Sequence, residues 1–342
     1  MIGTVDHLYR SEEICSLGIC HLKRYWQKCQ LIKTGELSGD KYIAEWATDV
    51  NLLAALGLGI EQTLKYIYTT SESFEAFEKW VLDVNNQVVS QSKIHEFNLS
   101  ILSNQPICKE EEDVEEILTP TDIEFWNTNG YIIIKNAITQ QDCDDTIDAI
   151  CQFINIDKND AATWYNEHPQ KQGIMIQLFQ HSTIEKNRQN QKIKKAYQQL
   201  WQRNDVYVNT DKVGFNPPEI ANWKFPASKL HWDVSLKIPI PFGTQGILYL
   251  TDTSSTQGAF TVVPRFHNTI EQWLKDLPSG AHPREQNLYP LGPVPIAANA
   301  GDFIIWHHAL PHSASPNTST LPRFVQYMNY APLNATVHDE WI

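Results

Sequence analysis

The chain has 342 residues, 42% of them hydrophobic and 20% charged, which is ordinary globular usage and excludes wholesale disorder or a fibrous repeat. Its 27 basic against 40 acidic residues leave a formal charge of -13 with no basic stripe to offset it, so a nucleic-acid partner is not expected. No window reaches the ~18 apolar residues of a membrane span and the first ten residues carry no basic-then-apolar leader, so the expectation is a cytoplasmic protein without a membrane partner.

In chain order, the first hundred or so residues read as helical. Apolar positions recur at three and four, no proline occurs before Pro106, and Ser73 is a natural N-cap for a helix carrying Phe74, Phe77 and Val81. Cys15, Cys20 and Cys29 with His21 fit no common zinc-finger spacing, and all six cysteines lack C-x-x-C pairing, which suits reduced thiols. The acidic run 110–116 reads as a solvated linker, giving an α-helical extension over 1–110 and a second domain over 111–342. Packing, a lid and homo-oligomerisation are all open as roles for the extension. Past the linker, Thr121 with Glu124 predicts a capping box, Asn129-Gly130 a helix end, Tyr131–Lys135 a strand, and Thr139 the cap of an amphipathic helix through Phe153. From Asp205 onward the chain turns to short apolar runs broken by Pro, Gly, Asn and Asp: 206–208, 230–236, 246–250, 259–263, 303–306 and 324–330. Many short strands without regularly alternating helices predict a mainly β jelly roll with flanking helices.

Within the 230–236 run, His231-Trp232-Asp233 is an H-x-D triplet, and strand alternation sends the imidazole and the carboxylate to one face. Taken alone it is weak, since H-x-D arises by chance as a surface pair. The later segment 303–317 adds His307, His308 and His312 as sources of a third ligand. Two histidines and one carboxylate on one face of iron(II) leave three positions free, enough for a chelating 2-oxo acid and dioxygen, whereas a structural zinc would be closed by a fourth protein ligand. Arg323, after the 316–322 turn, has the fork geometry to hold the oxo acid's second carboxylate, and a hairpin would set it beside the His312 strand.

Four blocks then give the chain a family resemblance: Val213-Gly-Phe-Asn-Pro-Pro218, Leu230-His-Trp-Asp233, Gly258-Ala-Phe-Thr-Val-Val-Pro264 with His267, and Gly301-Asp302 through Leu310-Pro-His-Ser-Ala-Ser-Pro-Asn317 to Arg323. Over roughly residues 118–332 the sequence resembles the phytanoyl-CoA dioxygenase family of iron(II), 2-oxoglutarate-dependent oxygenases. His312 and Arg323 stand eleven residues apart, as the family's last histidine ligand and oxoglutarate arginine do. The resemblance implies a double-stranded β-helix fold, iron held by His231, Asp233 and His312, and Arg323 on the C5 carboxylate of 2-oxoglutarate. Dioxygen would be the second cosubstrate and a small molecule the substrate. An aspartate at 233 implies oxygenation, with hydroxylation the commonest outcome, because halogenating relatives have a small residue there. Two features depart from the pattern. Some members place a serine two positions after the last histidine, and here Ser313 and Ser315 flank Ala314; polar contacts to oxoglutarate from the strand before the H-x-D block would fall to Asn209, Thr210 or Lys212. His307 and His308 are expected to pack rather than ligate, and His267 to be structural or at the pocket rim. Two other readings stand beside this one: a cupin-type enzyme using a different divalent metal, and a non-catalytic module that binds metal and oxoglutarate.

Overall fold

Between Leu22 and Ser103 the spacing of the apolar residues produces five helices: α1 (Leu22–Thr34), α2 (Trp46–Ala55), α3 (Ile60–Thr69), α4 (Phe74–Val84) and α5 (Gln91–Ser103). Leu22, Leu52, Ile67, Phe77 and Val81 are fully buried and form their shared core. Ser73 caps α4 as expected, its side chain accepting from the Ala76 N–H at 3.1 Å. The computed structural model describes residues 8–39, 44–103, 116–226, 229–332, 334–338 and 340–342. Residues 110–115 of the acidic run, and with them the 110/111 boundary, lie outside the described residues. The chain divides into two compact units, one drawn from 1–113, 203–211 and 331–340, the other from 114–202, 212–330 and 341–342.

The first unit holds a buried charge network in place of the cysteine site weighed from the sequence. Asp49 accepts from His21 Nε2 at 3.0 Å and from Lys28 Nζ at 2.5 Å; Lys28 also donates to Glu45 at 3.0 Å, and Arg24 holds the other side of Glu45 at 2.6 Å. His21, Asp49 and Glu45 are grouped closely enough to ligate a cation, but the Lys28 ammonium already supplies the positive charge between the two carboxylates. Burial pushes the Cys15 thiol up to about 11 and the Cys29 thiol up to about 12, so neither offers a thiolate at neutral pH. Lys28→Met leaves two carboxylates facing each other, and the first unit is expected to lose about 3–5 kcal/mol of stability. Denaturant unfolding of the full chain checks this; a loss under about 1 kcal/mol would show the network to be dispensable. Burial raises the Glu45 pKa, but the Arg24 and Lys28 contacts outweigh it and hold that carboxyl below its usual range. Its contribution is therefore present above the ordinary glutamate pKa and is lost as the pH falls through the depressed value.

In the second unit α6 (Pro120–Asn129) leads into β1 (Tyr131–Ile134), followed by α7 (Gln140–Ile154), β2 (Lys171–Gln172), β3 (Met175–Ile176), α8 (Ser182–Arg188) and α9 (Gln191–Trp201). The cap of α6 is Thr119 rather than Thr121: its hydroxyl accepts from the Asp122 N–H and Asp122 answers to the Thr119 N–H. Pro120 decides this, since proline suits the first helical position, where no N–H is needed. Gly130 ends the helix at φ 76°, and Thr139 caps α7 as expected. After β4 (Val206–Val208), which belongs to the first unit, come β5 (Val213–Asn216), β6 (Thr244–Tyr249), β7 (Phe260–Val262), α10 (Ile270–Lys275), β8 (Val294–Pro295), β9 (Phe303–His307), β10 (His312–Ala314) and β11 (Arg323–Tyr327), and then β12 (Tyr330–Pro332), which passes back into the first unit at residue 331.

A seven-stranded sheet runs β1-β9-β6-β11-β5-β3-β2 and a three-stranded sheet runs β10-β7-β8, each paired antiparallel throughout. Alternation along β6, β9 and β11 sends Ile247, Tyr249, Ile304, Trp306 and Val325 into one core with Phe260 and Val262 of the small sheet. The opposite face of the large sheet meets α8 and α9: Phe303 packs edge-on to Tyr197, and Asn187 donates to Gln326 at 2.9 Å. Burial on both faces is why these strands read as near-continuous apolar runs. This is the double-stranded β-helix, or jelly roll. Two expectations need correction. The 230–236 run forms no strand; only His231 makes a bridge, to His312, because the bends after it turn the chain away. And β11 is no hairpin partner of β10, since β10 pairs with β7 in the small sheet while β11 lies between β6 and β5 in the large one. No helix among the described residues is long and apolar enough to cross a membrane.

Candidate metal centre and 2-oxoglutarate pocket

The bridge between His231 and His312 fixes the geometry of the site. The N–H of each residue donates to the carbonyl of the other at 3.0 Å, which places the two imidazoles side by side with centroids 4.8 Å apart. Each ring is then oriented by a backbone carbonyl: His231 Nδ1 donates to Lys229 at 2.8 Å and His312 Nδ1 to Leu310 at 3.1 Å. A carbonyl only accepts, so in the neutral rings both Nδ1 atoms carry the proton and both Nε2 atoms present lone pairs. Asp233 closes the group, 3.6 Å from His231 Nε2 through Oδ1 and 3.2 Å from His312 Nε2 through Oδ2. Donors at ~2.1 Å from a shared ion and at right angles stand ~3 Å apart, so these separations suit one metal. Two lone pairs facing a carboxylate also need a cation between them. Where a proton on the imidazoles takes the place of that cation, burial would raise the Asp233 pKa, but charged His312 above all, with Gln245 and His231, overcomes it and holds the carboxyl well below its ordinary range.

Asp233 is steered by a side chain that the sequence did not single out. Gln245 Nε2 donates to Asp233 Oδ2 at 2.8 Å, and Gln245 Oε1 accepts from Trp306 Nε1 at 3.1 Å. An indole only donates and a carboxylate only accepts, so the amide has one workable orientation. Gln245 lies opposite Trp306 in the ladder and shares the inward face with Ile247 and Tyr249; that alternation is the signal that would have found it. The group is open on one side only: the His231 and Asp233 side chains are 45% and 53% exposed, against 7% for His312, which packs on Trp306 and Phe260.

Arg323 begins β11 on the same inward face as Val325, across from Asn216. It is 0% exposed, and none of its three guanidinium nitrogens has a hydrogen-bond partner; the Asn216 carboxamide oxygen beside it is likewise buried and unsatisfied. The Tyr249 hydroxyl lies against the guanidinium, donating to the Ile296 carbonyl at 3.0 Å and accepting from the Phe260 N–H at 2.8 Å. Burial pushes that hydroxyl up to about 12 against the opposing pull of Arg323. Phe260 touches both sides: its N–H donates to the Tyr249 hydroxyl at 2.8 Å and its ring is 6.0 Å from that of His312. A buried cation with unused donors, on the inward face of a core that also carries an open metal-type triad, fits an anionic chelator such as a 2-oxo diacid.

The other candidates are distributed less helpfully. Ser313 is buried opposite Thr261, on the alternate face of β10 from His312. Lys212 gives its carbonyl to the Tyr327 N–H at 3.1 Å. Asn209 and Thr210 belong to the first unit, whereas the triad and Arg323 belong to the second. His307 and His308 pack as expected: His307 accepts from the Ala309 N–H, and His308 donates to the Pro241 carbonyl in space that only a side-chain-free Gly243 permits. Burial lowers their pKa values to about 3 and about 4, keeping both neutral. His267 bonds the Asn127 carbonyl and fills the gap beside Gly130.

Residues 126–325 match the phytanoyl-CoA dioxygenase (PhyH) family, more than half of the chain. The chain belongs to that family. As a PhyH-family protein it is an oxidoreductase, a 2-oxoglutarate-dependent dioxygenase using iron(II) and dioxygen. Residues 6–122 match a domain of unknown function, DUF5069. A Dictyostelium discoideum protein named as a candidate phytanoyl-CoA dioxygenase is 22% identical over 261 residues, covering 61% of this chain and 74% of its own. Among solved structures, the GlcNAc-inducible GIG2 protein (DUF1479) of Candida albicans superposes with a TM-score of 0.51 at 15% identity, over 64% of this PhyH-family chain and 65% of its own, just under two thirds. That likeness shows a shared fold. EctD of S. alaskensis, solved with 2-oxoglutarate and 5-hydroxyectoine, gives a TM-score of 0.49 at 14% identity over 68% and 83% of the two chains.

Proposed function

We propose that this oxygenase hydroxylates an unactivated C–H bond of a small metabolite or natural-product intermediate, with His231, Asp233 and His312 holding iron(II) and Arg323 holding the C5 carboxylate of 2-oxoglutarate. The observation that carries the reading is the fully buried, unpartnered Arg323 guanidinium together with a triad of the right donor set. When bound, iron(II) activates dioxygen, so that one oxygen atom enters the substrate C–H bond and the other the succinate carboxylate as carbon dioxide leaves. The protein's share is placement. Arg323 orients the oxo acid through parallel N–H bonds, Gln245 keeps Asp233 turned toward the histidines, and Trp306 and Phe260 keep water from the buried side of His312. The exposed side of His231 and Asp233 is where a substrate can approach.

A cupin-type metalloenzyme without an oxo acid would leave the Arg323 charge uncompensated, which disfavours it. The deciding experiment reconstitutes the protein anaerobically with iron(II) and 2-oxoglutarate, then admits isotopically labelled dioxygen with candidate substrates. One labelled oxygen per succinate is expected, and a hydroxylated product when the substrate is right. Metal-dependent turnover that needs no 2-oxoglutarate would overturn the proposal.

A further inference from the structure

Asp233 sits on a stretch that the sheets do not hold. After the His231 bridge the backbone bends through 233 and 234, so the carbonyls on either side of the carboxylate residue have no strand to pair with. They are taken up by one side chain. Arg284 Nη1 donates to the Trp232 carbonyl at 2.7 Å and Nη2 to the Val234 carbonyl at 2.6 Å. The same guanidinium reaches the Ile342 oxygen, at 2.9 Å from Nη2 and 3.1 Å from Nε, and lies 4.7 Å above the Trp341 ring. Residue 342 in turn accepts from the Leu236 N–H and donates to the Ser235 hydroxyl, both at 3.3 Å.

We propose that Arg284 is a positioning residue for the metal centre: it clasps the two peptide carbonyls that flank Asp233 and so fixes the carboxylate at the distance the two imidazoles require. Only a planar fork can donate to two carbonyls two residues apart and still reach a third oxygen, so lysine is no substitute. Arg284 lies more than fifty residues from the triplet in sequence, in a short turn between Pro283 and Glu285, and no spacing rule links them. The inference rests on the proposed metal centre and deepens it.

The test titrates iron(II) anaerobically into full-length protein saturated with 2-oxoglutarate, following the visible charge-transfer band, and measures Tm in parallel. Arg284→Met is expected to weaken iron(II) binding about 10–100-fold, the range for partners that orient metal ligands, and Arg284→Lys to recover little of it. Trp341→Ala, which removes the stacking ring but leaves the carbonyl bonds, should keep iron(II) affinity within about threefold of wild type. If Arg284→Met lowers Tm yet binds iron(II) as wild type does, the residue merely tethers 341–342 and the proposal is wrong. Should Arg284→Met fail to fold, Arg284→Lys decides by the same criterion. A wild type that shows no band at all overturns the metal centre itself, and the clasp with it.

Discussion

Replacing Arg323 with methionine is expected to remove 2-oxoglutarate binding while making the ligand-free protein more stable. The guanidinium is wholly buried with no hydrogen-bond partner for any of its three nitrogens, an arrangement that costs folding free energy and returns none of it until an anion arrives. Exchanging buried ionic groups for apolar ones of similar volume is neutral or stabilising by about 1–4 kcal/mol. For a domain of this size that raises Tm by about 2–4 °C per kcal/mol. The loss on the binding side is larger. Truncating one partner of a buried, hydrogen-bonded charge pair costs about 2–5 kcal/mol, so 2-oxoglutarate affinity should fall by about 30-fold to several thousand-fold. Thermal melts with and without 2-oxoglutarate read both effects at once. Wild type should gain stability with ligand and the variant should not, while starting from an equal or higher baseline. A variant that keeps the ligand-induced rise would mean that the carboxylate is held elsewhere; one that loses stability without ligand would mean that Arg323 is structural.

The two halves of this site differ in how far the sequence exposes them. His231 and Asp233 are singled out by strand alternation, although the chain bends at 233 and the pair comes together without a strand, and His312 by the spacing to Arg323 that the family resemblance implies. What the sequence conceals is the reason these residues meet. Arg323 was expected beside the His312 strand through a hairpin; it arrives instead from the opposite sheet, across a core filled by Tyr249, Phe260 and Val325. Sheet membership depends on long-range pairing, to which local alternation is blind. Gln245, Asn216 and Arg284 escaped for a related reason: each is recognised by the partner it meets or lacks, and those partners lie outside its own element, Asp233 12 residues from Gln245 and the Trp232 carbonyl 52 from Arg284. The misplaced α6 cap is different. Thr121 with Glu124 and Thr119 with Asp122 both satisfy a capping pattern, and only the preference of Pro120 for the first helical turn separates them. In the first unit the Lys28 network was invisible, because its members are read as solvated charges until burial is known.

Asp233 provides the sharper test of the metal centre, and its two conservative variants should differ. Oδ2 accepts from Gln245 Nε2, whose orientation is dictated by Trp306, so an asparagine at 233 must turn its own oxygen toward Gln245. Its amide nitrogen then takes the Oδ1 position, 3.6 Å from His231 Nε2, and points N–H bonds at the lone pair meant for the metal. Asp233→Asn thus removes a negative charge and also occupies a histidine. Asp233→Ala removes the charge but leaves both imidazoles free, each still oriented by its backbone carbonyl. Iron(II) affinity is expected to fall in both variants, by about 100-fold or more in Asp233→Asn and by measurably less in Asp233→Ala, in line with the steep dependence of metal sites on ligand geometry. Calorimetric titration with cobalt(II) as a redox-inert stand-in gives the order directly. If Asp233→Asn binds the metal as well as or better than Asp233→Ala, the orientation imposed through Trp306 and Gln245 does not govern the ligand set; if both bind as wild type does, Asp233 is no ligand.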